Sequence, residues 1–121
     1  YQTIDGVSFV KALKAGKSKR ERSLVWHFPN LWGETQNKEE GYGAYSAILK
    51  GDYHLIYTWE TQTCRLYNVK EDIGEQNDLA AEHPEIVKKL SKELSDYLRE
   101  RDAQRPSMKK TGELIPYPDE L

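Results

Sequence analysis

Trp26-His27-Phe28-Pro29-Asn30-Leu31-Trp32-Gly33 is the chemically densest stretch of this 121-residue chain. It sets two indoles, an imidazole and a carboxamide at the end of a short apolar run. Two aromatic platforms beside hydrogen-bonding groups are what a pocket wall offers a sugar or an aryl ring. In an extended run His27 lies on the opposite face from Trp26, and with Asn30 and Trp32 it forms the candidate substrate-binding set. The competing reading makes Trp26 and Phe28 core residues and lets Trp32 close a sheet edge.

Other chemistries find less support. Gly41-Tyr42-Gly43-Ala44-Tyr45-Ser46 has two glycines of a phosphate cradle, but it leads into a strand and not into a helix N-terminus. His27, His54 and His83 have no paired spacing, so no metal ligands are assigned. The acidic run Glu71 to Asp78 lacks the alternating ligands and terminal Glu of a calcium loop, and reads as a polar loop capping the start of a helix. Cys64 falls within a predicted strand, where a thiol is a small apolar filler. Ser46 and His54 could at best face each other across a hairpin, with no third member to complete a nucleophilic site. No catalytic residue is assigned to this chain.

The elements that must position these residues are legible from periodicity. Tyr53, Leu55, Tyr57 and Trp59 alternate with His54, Ile56 and Thr58, the period of a strand. Tyr45 to Leu49 precedes it through Lys50-Gly51-Asp52, where glycine supplies the positive φ of a tight hairpin. Cys64 to Val69 and Ser23 to Phe28 complete about four antiparallel strands, the last ended by Pro29, which has no N–H to donate. Residues 78–103 read as helix, with Pro84 suited to its first turn and Ile86, Leu90, Leu94, Tyr97 and Leu98 forming one apolar stripe. Ser91, Lys92, Ser95 and Asp96 are expected on the far side, with Glu85–Lys89 and Lys89–Glu93 pairs on the wet face. The fold class is therefore α+β: a small antiparallel sheet with a C-terminal helix packed across one face.

Composition bounds the rest. Hydrophobic residues make up 37% of the chain, and 3 Trp, 8 Tyr and 2 Phe argue for a folded core. With 18 basic and 20 acidic residues there is no overall field to draw nucleic acid, and the local cluster from Lys11 to Arg22 reads as a solvated loop. No apolar run approaches the ~18 residues of a membrane span, and no secretory signal follows Tyr1, although the absence of an initial Met points to sequence upstream. One cysteine excludes an internal disulfide and a zinc site of several thiolates.

Four segments, in order, resemble the C-terminal part of bacterial sulfatases of the arylsulfatase-like, formylglycine-dependent family. Asp5-Gly6-Val7-Ser8-Phe9 through Gly16 is similar to the Asp-Gly-x-Ser segment that closes their catalytic domain, with Lys11 where the family often has Pro. Arg22 through Asn30 resembles the strand that follows. Ser46-Ala47-Ile48-Leu49-Lys50-Gly51-Asp52-Tyr53 resembles their hairpin, and Leu66-Tyr67-Asn68-Val69 with Gly74-Glu75-Gln76-Asn77-Asp78-Leu79-Ala80 resembles the segment after it.

The resemblance implies residues 1–22 as the end of a catalytic-domain segment and linker, 23–106 as a sulfatase C-terminal subdomain and 107–121 as a tail. It implies a formylglycine and a calcium in the full-length enzyme, neither held by this chain: Thr63-Cys64-Arg65-Leu66 has Leu where the Cys/Ser-x-Pro-x-Arg motif needs Pro. It also implies an upstream catalytic domain as partner, sulfated carbohydrate as substrate, and a periplasmic or extracellular location. The alternative expectation is a stand-alone glycan- or protein-binding module without catalysis.

Overall fold

The computed structural model describes residues 8–16, 22–30 and 43–121. Its centre is a four-stranded antiparallel sheet in the order β1 (Leu24–Phe28), β2 (Tyr45–Lys50), β3 (Tyr53–Thr58), β4 (Thr63–Asn68). β2 and β3 are joined by a two-residue turn in which Gly51 has φ +60°, the conformation that matches the twist of the flanking strands. Helix α2 (Pro84–Glu100) crosses one face, and the chain ends in a 3₁₀ turn at Pro118–Glu120. This is the α+β arrangement expected from the periodicities.

The pairing register sorts side chains cleanly. Val25, Ile48, Leu55 and Leu66 lie in one row across the sheet, and His27, Ser46, Tyr57 and Cys64 in the next, all on the face that α2 covers. Ile48, Leu55, Tyr57, Trp59 and Leu66 meet Leu90, Leu94 and Leu98 of the helix in a single core. The opposite, open face carries Leu24, Trp26, Phe28, Tyr45, Leu49, His54, Ile56 and Tyr67.

Several local expectations need correction. The helix begins at Pro84 and ends at Glu100, so residues 78–83 lie outside it, with a turn at 80–82. Its C-terminus closes through Asp102 in the left-handed region, with the Ala103 N–H donating back to Leu98 O. Ser91 and Ser95 are buried and not on the far side, because their small side chains let β4 and the C-terminal segment approach the helix. Ser91 Oγ lies 3.7 Å from Cys64 Sγ, and Ser95 Oγ accepts the Asp119 N–H. Glu93 pairs with Lys50 of β2 at 2.5 Å and accepts a hydrogen bond from Ser23; Glu85 pairs with His83. For Glu93 a long-range partner on the neighbouring layer replaces the Lys89 contact that helical spacing offered, and for Glu85 the nearby His83 does.

The acidic run does not cap the helix. His83 holds the N-cap position without a side-chain cap bond, while Asp72 accepts the Asn77 N–H and Asp78 accepts the N–H groups of Leu66 and Ala80. Asp78 thereby ties the loop to the outer side of β4, where Leu79 N–H also donates to Leu66 O. In the basic segment, Val10–Ala15 forms a short helix, α1, where a loop was expected; residues 17–21 lie outside the described set.

The last segment folds back over the core. Ile115 and Pro118 are buried, and Tyr57 Oη donates to Pro116 O at 2.9 Å. Arg99 grips Asp119 through two hydrogen bonds, at 2.7 and 2.8 Å, and the Arg99 and Arg105 guanidinium groups lie 4.5 and 4.6 Å from the centre of the Tyr117 ring.

Candidate functional site

Strand alternation in β1 divides the aromatic cluster between the two faces. His27 turns toward α2, and its imidazole is engaged at both nitrogens. Nε2 lies 2.7 Å from the Gln104 carbonyl oxygen, an acceptor only, which assigns the proton to Nε2. Nδ1 then accepts from Ser46 Oγ–H at 2.7 Å, and Ser46 Oγ accepts from Trp59 Nε1–H at 2.9 Å. The result is a directed chain of hydrogen bonds, Trp59 to Ser46 to His27 to Gln104. Every polar atom in it is partnered, as burial in the core demands: Ser46 and Trp59 are both fully buried.

Ser46 and His54 do not face each other. Ser46 pairs with Tyr57 and His54 with Leu49, which sends the two side chains to opposite faces of the sheet. Cys64 packs beside Ser91 on the helix side. Burial pushes its thiol up, against the opposing pull of the Ser91 hydroxyl, so the group stays protonated at neutral pH. Burial likewise pushes the Tyr57 phenol up to about 12. Neither group is poised for nucleophilic or acid–base work.

Asn30 is exposed in the bend after Pro29, and Trp32 lies outside the described residues. Trp26 and Phe28 stand on the open face at 40% and 44% exposure, so neither belongs to the core. Trp26 meets the His54 ring edge-on at 5.7 Å, and Phe28 lies tilted against Tyr45 at 5.2 Å. His54 is held from the far side by Glu75 of the acidic loop, Nδ1 to Oε1 at 2.5 Å. The period of two already placed His54 opposite Tyr53; its Glu75 partner carries no local signal, since it arrives from a loop 21 residues away.

A groove of about 420 Å³ runs between β1 and α2, floored by Val25, Ile48 and Tyr97 and rimmed by Lys89, Lys92 and Glu93 among other charged groups. Its rim mixes both signs and so offers no concentrated field for an anion, and of the described candidates neither His27 nor Asn30 lines it. Among the described residues no group of three or more His, Cys, Asp or Glu side chains is placed to hold a metal ion. The chain therefore offers no fitting cradle for a calcium within its described part. No described helix is long and apolar enough to cross a membrane.

No family model matches the chain. A protein named Sulfatase from Formosa agariphila is 29% identical to it over 124 aligned positions, which take in 97% of this chain. The chain spans only 22% of that relative's length. The resemblance seen in the four segments thus extends along nearly the whole chain, and the unequal coverage is consistent with a C-terminal subdomain of a larger protein of that kind.

Proposed function

We propose that this chain is the C-terminal subdomain of an enzyme that hydrolyses sulfate esters, a catalytically silent piece that completes the fold of the whole. The observation that carries the reading is the likeness to a sulfatase over 97% of this chain and 22% of the relative. In this reading residues 23–106 form the subdomain, 1–22 lead out of the catalytic domain and 107–121 are the tail. The formylglycine nucleophile and a calcium belong to the remainder of the protein. The substrate is a sulfated carbohydrate, met in the periplasm or outside the cell.

His27, Asn30 and Trp32 then border the substrate pocket. His27, with both nitrogens engaged by Ser46 and Gln104, serves there as a positioning residue that fixes the end of β1, from which Asn30 and the following loop reach the substrate. The test uses the protein expressed from the complete reading frame, assayed for sulfate release from sulfated oligosaccharides. Activity is expected, and should vanish when the Cys or Ser of its Cys/Ser-x-Pro-x-Arg motif is replaced by Ala. In the same enzyme His27→Ala and Asn30→Ala should raise KM for a sulfated sugar. A protein without sulfate-ester hydrolysis sinks the reading, and unchanged kinetics in both variants removes these residues from the pocket.

The exposed Trp26–Phe28–Tyr45 surface is what a stand-alone binding module would present. Titration of plain and sulfated oligosaccharides against tryptophan fluorescence tests that second reading, and a silent titration ends its glycan form.

A further inference from the structure

The two halves of the open face are finished differently. On the β3–β4 side, His54 is clamped by Glu75, and Tyr67 is buried. On the β1–β2 side the face consists of Leu24, Trp26, Phe28, Tyr45, Ala47 and Leu49, none of them charged. Trp26 and Phe28 are the most exposed of these, and they are contiguous with one another along the strand. Single exposed apolar side chains are ordinary on a protein surface, but a contiguous aromatic patch without charges is characteristic of an interface core. Beside Trp26, His54 Nε2 is shut off from solvent with no hydrogen-bond partner. Among the described residues nothing pairs with the outer edge of β1 either.

A second uncovered apolar surface precedes it in the chain. Helix α1 buries none of its residues, and Phe9 and Leu13 are 69% and 70% exposed. The most exposed side chains of both surfaces, Phe9, Leu13, Trp26 and Phe28, thus fall within the first 28 residues, whereas the large hydrophobics exposed further along, Ile73, Met108, Leu114 and Leu121, lie outside the sheet.

We propose that the β1–β2 half of the open face is the seat of the rest of a sulfatase chain, the portion that lies beyond the 22% this chain spans in its relative. The proposal rests on the sulfatase reading above. A sugar is the poorer occupant, because the six residues bring no carboxylate or carboxamide to orient hydroxyl groups. An apolar protein surface needs only shape and area, and a hydroxyl or backbone donor from it would satisfy His54 Nε2.

Hydroxyl-radical footprinting of the protein expressed from the complete reading frame tests this, with oxidation read at single residues by mass spectrometry. Trp59, fully buried, is an internal standard of the same side-chain type. Trp26 is expected to react as slowly as Trp59, and Phe28 to be protected with it, independently of protein concentration. Trp26 oxidised several-fold faster than Trp59 in a protein that does hydrolyse sulfate esters overturns the surface assignment and leaves the sulfatase reading standing. Protection that disappears on dilution makes a second copy the occupant and overturns it as well. A complete frame without the sulfatase motif removes the proposed occupant, ending the reading and this proposal together.

Discussion

The two faces of the sheet are built from the same four strands, yet they are closed to different degrees. On the helix side Leu55, Tyr57, Trp59 and Leu66 are sealed by α2 and the C-terminal segment, and Trp59, Ser46 and His27 are linked there in one chain of hydrogen bonds that ends on the Gln104 carbonyl. On the open side Trp26 and Phe28 remain partly in water, and His54 Nε2 is left without a partner. The difference teaches that this piece carries enough apolar surface for one complete core and part of a second interface. Side-chain alternation makes that unavoidable: a strand that supplies Val25 and His27 to one face must supply Leu24, Trp26 and Phe28 to the other.

The comparison breaks most visibly through paired truncations. Leu94→Ala removes a fully buried side chain at the centre of the helix–sheet contact and should cost about 2–5 kcal/mol in urea unfolding of the 121-residue chain. Trp26→Thr, on the open face, keeps a β-branched residue in the strand and should cost about 1 kcal/mol, the span of strand propensities and cross-strand pairs. Equal costs would mean that the open face is as finished as the other. In the protein expressed from the complete reading frame the proposed docking makes the Trp26 substitution the more damaging one, and a cost that stays near that of the 121-residue chain counts against it.

Next in size is the polar chain. Ser46→Ala deletes the hydroxyl that accepts from Trp59 Nε1 and donates to His27 Nδ1, orphaning a fully buried indole N–H and a half-buried imidazole nitrogen. The cost expected in the same unfolding measurement is about 1–3 kcal/mol. A variant as stable as the parent would show that water or a rotated His27 ring replaces Ser46, and that the helix-side face is less closed than its geometry indicates.

Much of the helix side was legible in the sequence because its signals are local. The alternation from Tyr53 to Trp59, the Gly51 hairpin and the Leu90–Leu94–Leu98 stripe each follow from neighbours within a few residues. The misread features depend on partners far along the chain. Ser91 and Ser95 look polar on a helical wheel, but they are buried because Cys64 and Asp119 come to meet them. His27 looked free for a ligand until Gln104 O, 77 residues away, took up Nε2. Trp26 and Phe28 carry the pattern of core residues, and periodicity says only that they share a face; which face receives the helix is decided by the register of the whole sheet. Of the candidate site, His27 and Asn30 can be placed and Trp32 falls outside the described residues.

The smallest expected effect is electrostatic and concerns what ties α2 to the sheet and to the C-terminal turn. Burial tends to raise the Glu93 carboxyl, but hydrogen bonds from Lys50 and Ser23 outweigh it and hold the group below its usual range. Asp119 follows the same logic, with burial opposed and overcome by the Arg99 guanidinium. A carboxylate depressed in the folded state binds protons more weakly than in the unfolded chain, so its stabilisation is complete above the ordinary carboxylate range and is lost as the pH falls through the depressed values. Each pair is partly exposed and screened, which limits it to about 0.5–1 kcal/mol. Urea unfolding at neutral and acid pH should therefore show stability falling on acidification, and Lys50→Met should flatten that fall by freeing Glu93 toward its ordinary behaviour. A slope unchanged in the Lys50 variant would mean that the Lys50–Glu93 pair adds nothing to the hold of the sheet on α2, and the asymmetry between the two faces would then rest on burial and not on that charge pair.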